Sequence, residues 1–240
     1  MLSIASAILA IVAIPSANAD DEPTPHQLID RALKAGGGID KIRQFKAVSF
    51  KASVKLANEA DLKLTGTIAH PTLFHVAVEG GVTGSFLLVG GGDTLWLKKP
   101  NEAAKEAKAT DKNLETELGV FYACCLPDLL TSLKGRAYKL TIVGDQPGNG
   151  VKAVAMRVQH ELHPEITIWF DKENGLPVKT RMKLPGDSNL VEIQFEDYKE
   201  YDGVKHFTKF KLQCSGESCT GELREIQLLK SVDSILFKRP

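Results

Sequence analysis

The sequence predicts an α+β protein: a strongly curved antiparallel sheet, an open half-barrel of roughly 11–12 strands, with helices covering its concave face. Three observations predict it. From Ala47 onward, apolar residues recur at every second position through one run after another, the period of a strand with one buried and one wet face. Short turns rich in Gly, Asn and Asp separate the runs, so strands adjacent in sequence pair antiparallel. Helical periodicity is confined to a stretch before the first strand and another between two strand series. A flat sheet of that size would leave an apolar face uncovered and long edges open, so the sheet must curl and the helices must plug it.

Taken in order, Asp20 to Pro25 is a short polar linker. A helix then runs to about Ala35, with Leu28, Ile29, Ala32 and Leu33 as its apolar stripe, and Gly36-Gly37-Gly38 ends it. A second short helix is expected over Ile39 to Phe45. In the first strand Val48, Phe50, Ala52, Val54 and Leu56 alternate with Ser49, Lys51, Ser53 and Lys55. Leu62, Leu64 and Ile68 repeat the pattern, followed by strands over Thr72 to Glu79, Ser85 to Val89 and Thr94 to Lys98. Short connections make these five strands a meander.

Asn101 to Glu117 is polar and reads as a loop or a loose helix. Val120 to Leu133 has helical spacing, with Pro127 requiring a break or a new start inside it. The second strand series follows over Tyr138–Val143, Lys152–Gln159, Glu165–Asp171, Val178–Leu184, Leu190–Tyr198, Val204–Leu212 and Gly221–Leu228. Asp202-Gly203 is a strong hairpin turn within it.

The N-terminus reads differently from the rest. Leu2 to Ile14 is almost wholly apolar, and Ala17-Asn18-Ala19 fits the small-x-small pattern that a signal peptidase cuts. Residues 1–19 are therefore expected to be a signal peptide and 20–240 a single half-barrel domain, exported to the periplasm or secreted after cleavage near Ala19. The apolar run is too short to span a bilayer, so the mature chain is not expected to be membrane-spanning. Lys+Arg and Asp+Glu are both 30. That balance, spread along the chain, lacks the basic excess of a nucleic-acid binder. A monomer is expected.

Catalytic chemistry finds little support. No Gly-x-Ser-x-Gly elbow and no phosphate-cradling glycine loop occurs. His160-Glu161-Leu162-His163 could hold a metal, but it sits in a turn and lacks the helical spacing of metal-binding His pairs. The expectation is no enzyme, no metal and no cofactor. Of the four cysteines, Cys214 and Cys219 flank a Gly-containing turn, where a disulfide would staple a hairpin. Cys124 and Cys125 are adjacent, and their pairing stays open.

Several segments together resemble the outer-membrane lipoprotein-sorting (LolA/LolB-like) family. Ala32 to Val48 looks like its helix, glycine turn and first strand. Gly92-Asp93-Thr94-Leu95-Trp96 is similar to its Asp-Gly-x-x-Trp hairpin, and Phe170 to Lys179 to its Asp-x-x-Thr-Gly-Leu-Pro turn. Asp197 to His206 resembles a further hairpin and Asp233 to Pro240 its terminus. The resemblance implies a half-barrel that shelters a lipid or lipoprotein acyl chain. An envelope sensor or interaction module with a protein partner is the other role it implies.

The inward apolar rows supply the candidate lining: Phe50, Val54, Leu64, Phe74, Val76, Leu95, Ile168, Met182, Ile193 and Phe195, with Phe121 and Leu130 on the covering helix. Trp96 and Trp169 belong either to the mouth or to the bracing of the sheet. These rows line a cavity or form a filled core, and periodicity alone does not choose. An acyl chain gains about 0.8 kcal/mol per buried methylene, so even a narrow cavity would be useful.

Overall fold

The computed structural model describes residues 23–57, 61–70, 73–81, 84–92, 94–107, 126–161, 165–183, 190–214 and 216–240. The expected signal peptide, Phe121, the Cys124-Cys125 pair and His163 lie outside the described residues.

Helix α1 (Pro25–Ala35) starts as its sequence demands. Thr24 and Gln27 form a reciprocal capping box, Pro25 occupies the first turn, and Leu28, Ile29, Ala32 and Leu33 are buried. A single turn, α2 (Ile39–Ile42), follows, shorter than the Ile39 to Phe45 helix expected. The glycines between them have a positional reason. At Gly37, φ is +116°, and a Cβ would lie 2.1 Å from the Gly203 carbonyl oxygen. The Lys205 amide donates to the Gly36 carbonyl beside it at 2.9 Å. The α1–α2 corner is therefore pressed backbone-to-backbone onto a strand turn.

The first strand series is β1 (Ala47–Leu56), β2 (Asp61–His70), β3 (Leu73–Gly80), β4 (Phe86–Gly91), β5 (Leu95–Lys98) and β6 (Lys105–Ala107). Helix α3 (Leu126–Ser132) precedes the second series. That series is β7 (Lys139–Gly148), β8 (Val151–Gln159), β9 (Ile166–Asp171), β10 (Pro177–Lys183), β11 (Leu190–Tyr201), β12 (Val204–Cys214) and β13 (Glu217–Leu229). A 3₁₀ turn over Ser234–Phe237 ends the chain. All the described strands form one 13-stranded antiparallel sheet in the order β6-β5-β4-β3-β2-β1-β13-β12-β11-β10-β9-β8-β7. The two meanders thus run from the centre outward and from the far edge inward, and meet where β1 pairs with β13. β6 and β7 do not pair, so the sheet is an open, curved half-barrel, as the alternation predicts.

The strand count is 13 rather than the 11–12 expected. The addition is β6, three residues of the polar Asn101 to Glu117 stretch paired to β5, too short for periodicity to mark. Several strands are also longer than expected: β7 continues through Pro147, where an edge tolerates proline, and β13 begins at Glu217. Of the break or new start expected at Pro127, the described residues show proline in the first turn of α3. No described helix is long and apolar enough to cross a membrane.

Candidate functional site

The inner wall comes from one side chain in two along every long strand. Phe50 and Val54 on β1, Leu64 on β2, Phe74 and Val76 on β3, and Leu95 on β5 belong to one buried apolar cluster. Ile168 on β9, Met182 on β10, and Ile193 and Phe195 on β11 join the same cluster from the other meander. Leu130 reaches it from α3. The structure therefore brings together every described member of the expected lining except the two tryptophans. None of these residues is more than 8% exposed.

Trp96 and Trp169 lie on the opposite face. Trp169 follows Ile168 in β9, so it must point outward. There it packs with Ala153, Ala155 and Val178 in a separate small cluster. The Lys179 ammonium sits 4.2 Å above its ring, and its Nε1 donates to Gln146 Oε1 at 3.3 Å. Glu192 holds the cations in place, 2.7 Å from Arg181 and 3.7 Å from Lys179. Trp96 follows the inward Leu95 and pairs with Val89 on the same outer face. Both tryptophans brace the sheet rather than line its interior.

The Cys214–Cys219 bridge is likewise not formed, though both residues are buried. The register pairs Cys219 with Leu212 and Cys214 with Glu217. The two sulfurs are diagonal neighbours across the ladder rather than a facing pair, a poor geometry for a disulfide.

Several interior residues escaped the alternation rule. Phe207 and Phe210, three apart in β12, are both inward. Strict alternation would send one of them out. The switch coincides with Asp197 on the partner strand, which has φ +55°. Thr208 Oγ1 donates to the Asp197 carbonyl at 2.7 Å and lies 3.0 Å from its carboxylate. That hydroxyl bond, followed by Lys199 and Lys209, holds the Asp197 carboxyl below its ordinary pKa. An Asp that tolerates left-handed backbone was the available signal. Glu225 does the same in β13, where φ is +50° beside a register shift in the β1 ladder, and Leu223 and Ile226 both turn inward.

These switches assemble an aromatic floor. The Phe195 and Phe207 rings are 4.8 Å apart, and Phe210 and Tyr198 each meet Phe207 edge-on at 6.4 Å. The Tyr198 hydroxyl donates to the Pro177 carbonyl at 2.7 Å, and burial pushes its pKa upward. One polar group in the wall has no such outlet: Thr180 Oγ1, on inward-facing β10, is buried without a hydrogen-bond partner.

The cover consists of the apolar faces of α1 and α3. Leu28, Ile29 and Leu33 meet Leu126, Leu130 and Leu133 in the same cluster. Its side-chain polar ties are exposed. Lys134 reaches Asp30 at 2.5 Å between the two helices, and the Arg31 guanidinium donates to the Lys172 and Glu173 carbonyls of the β9–β10 turn. Such ties are worth little individually. A gap of about 20 Å³ separates the cover from Tyr198, His206 and Phe207. Beside α2, an opening of about 220 Å³ is lined by Ile42, Phe45, Val48, Pro127, Val204 and Leu228, with Arg43 and Lys46 also on its lining. Among the described residues, no three His, Cys, Asp or Glu side chains lie together as metal ligands would. His160, part of the motif considered for metal binding, packs at 4.8 Å against Tyr138.

No family model matches the chain, and no curated protein matches it in sequence. Solved structures do match in shape. A LolA superfamily protein from Nitrosomonas europaea superposes with a TM-score of 0.56 at 10% identity, over 90% of this chain and 98% of that one. A domain assigned as an outer membrane lipoprotein-sorting protein, from Vibrio parahaemolyticus, gives 0.52 at 15% identity, over 88% and 100%. A DUF1329 family protein from Desulfovibrio piger gives 0.53 at 11% identity, over 89% and 97%.

Proposed function

Given that the chain has a LolA-like fold, we propose that it is a non-enzymatic periplasmic binding protein or carrier that shelters an acyl chain of a lipid or lipoprotein. One observation carries the reading: a continuous apolar wall spans both meanders and, among the described residues, is closed by short helices rather than by a second sheet. Parting the cover exposes a long hydrophobic trough at a modest cost in side-chain ties, because those ties are exposed. An acyl chain would replace the cover's side chains against the wall, at about 0.8 kcal/mol per buried methylene. Export to the periplasm, with cleavage between Ala19 and Asp20, is part of the same proposal and is supported by the apolar leader in the sequence.

The test is mass spectrometry of lipid extracted from protein purified out of the periplasm, with titration of a fluorescent fatty-acyl probe. Co-purifying acyl lipid and saturable probe binding are expected. Protein that is free of lipid and indifferent to the probe rejects the carrier. The near-complete burial of the described wall residues favours a second reading, a protein-interaction module on the same fold. Lipid-free protein that still binds an envelope partner would select it.

A further inference from the structure

We propose that the Thr180 hydroxyl is a ligand-binding group, donating a hydrogen bond to the carbonyl oxygen of a neutral acyl ester or amide held against the inner wall. This rests on the acyl-binding reading above and narrows its ligand class. Thr180 is 2% exposed, and its Oγ1 is buried with no hydrogen-bond partner. Its cross-strand neighbours are Ile168 on β9 and Ile193 on β11, both 0% exposed and both part of the inner cluster. Met182, two residues on along β10, is in that cluster too. An orphaned hydroxyl in such surroundings destabilises the fold, and valine would fill the same shape without that cost. A wall otherwise built of apolar side chains and two cysteines nevertheless carries threonine at this point. A ligand acceptor arriving there would complete the missing bond.

The surroundings also select the acceptor. The charged side chains nearest in these strands, Lys179, Arg181 and Glu192, are engaged with one another on the outer face. A carboxylate beside Thr180 would be buried without a counter-charge, which is strongly unfavourable. A neutral carbonyl needs one donor, and the hydroxyl supplies one. The occupant is therefore an esterified or amidated acyl chain rather than a fatty-acid anion.

The test compares two neutral probes and an anion on wild type, Thr180→Val and Thr180→Ser. 1,6-Diphenylhexatriene reports apolar binding with no carbonyl, and methyl laurate and laurate at pH 8 compete for it. Thr180→Val is expected to weaken methyl laurate about threefold to tenfold while leaving the hydrocarbon within about twofold, as loss of a single hydrogen bond would. Thr180→Ser keeps the hydroxyl and should bind the ester nearly as wild type does. Thr180→Val should also melt higher than wild type when empty. Hydrocarbon binding with no selective loss of the ester overturns the inference and leaves the acyl-binding reading standing. Laurate competing more strongly than its ester overturns the neutral-carbonyl assignment. Failure of wild type to bind either neutral probe rejects acyl binding altogether, and this inference with it.

Discussion

Replacing Gly221 with alanine probes how tightly the inner wall is packed at the β12–β13 ladder. Gly221 faces Phe210 in register, and a Cβ at 221 would lie 2.1 Å from Phe210 Cζ and 2.4 Å from Cε1. Ordinary contact begins near 3.4 Å, so the ring must withdraw by about 1.3 Å. It has little room to do so, because Phe207 meets it edge-on at 6.4 Å and it is 2% exposed. Overpacking of this kind costs about 1–3 kcal/mol. Opposing it, the backbone at 221 is compatible with an L side chain, and removing a glycine restricts the unfolded chain, a gain of about 0.4–1 kcal/mol. The clash outweighs the gain over nearly all of that range, and Gly221→Ala should destabilise by up to about 2.6 kcal/mol in urea denaturation followed by tryptophan fluorescence. The decisive measurement is the double-mutant cycle with Phe210→Leu. Without the ring, the alanine should be neutral or slightly stabilising, giving a coupling of about 1 kcal/mol or more. An equal cost in both backgrounds would refute the packing argument, and the destabilisation would then have to come from the backbone.

Further outcomes follow from the same geometry. Phe195→Ala removes a 2% exposed ring from the aromatic floor and should cost about 3–5 kcal/mol in the same denaturation assay. Tyr198 ionises less readily when folded, so stability should fall as pH rises past the ordinary tyrosine range, when the unfolded chain loses that proton first. Tyr198→Phe should flatten this alkaline slope of the melting temperature while lowering stability near neutrality, since the Pro177 carbonyl loses its donor. Asp197 is held below its ordinary pKa by Thr208, so its contribution is present above the usual carboxylate range and is lost as pH falls through the folded value. Asp197→Asn, which suits the φ of +55°, should therefore make acid unfolding less steep. Arg31→Ala should leave global stability within about 1 kcal/mol. It should nonetheless speed amide exchange in α1, because it unties that helix from the β9–β10 turn.

Most of the wall was legible in the sequence because alternation is a strict geometric consequence of the pleat. Phe50 with Val54, and Ile193 with Phe195, needed no tertiary information once the strand had been recognised. For the tryptophans the sequence left the mouth and the bracing of the sheet both open, and parity with the inward Leu95 and Ile168, which sends both rings outward, decides for bracing. Phe207 and Leu223 were missed because left-handed residues at Asp197 and Glu225 change which face a strand presents, and two acidic residues inside strands do not announce that. The cysteine pair failed on a two-residue offset in register, which is set by the β12–β13 turn rather than by the spacing of the cysteines. Thr180 was invisible because a threonine in a strand is unremarkable until its neighbours are known.

The pairing of β1 with β13 has a consequence for the life of the chain before it is a folded protein. β1 finds its second neighbour only when β13 has been made. Until then β1 offers an open row of amide and carbonyl groups next to an uncovered greasy surface, the kind of template that recruits other chains. Ladder closure over such a sequence separation is slow. A late seam of this sort keeps one side of β1 unpaired until β13 has been made.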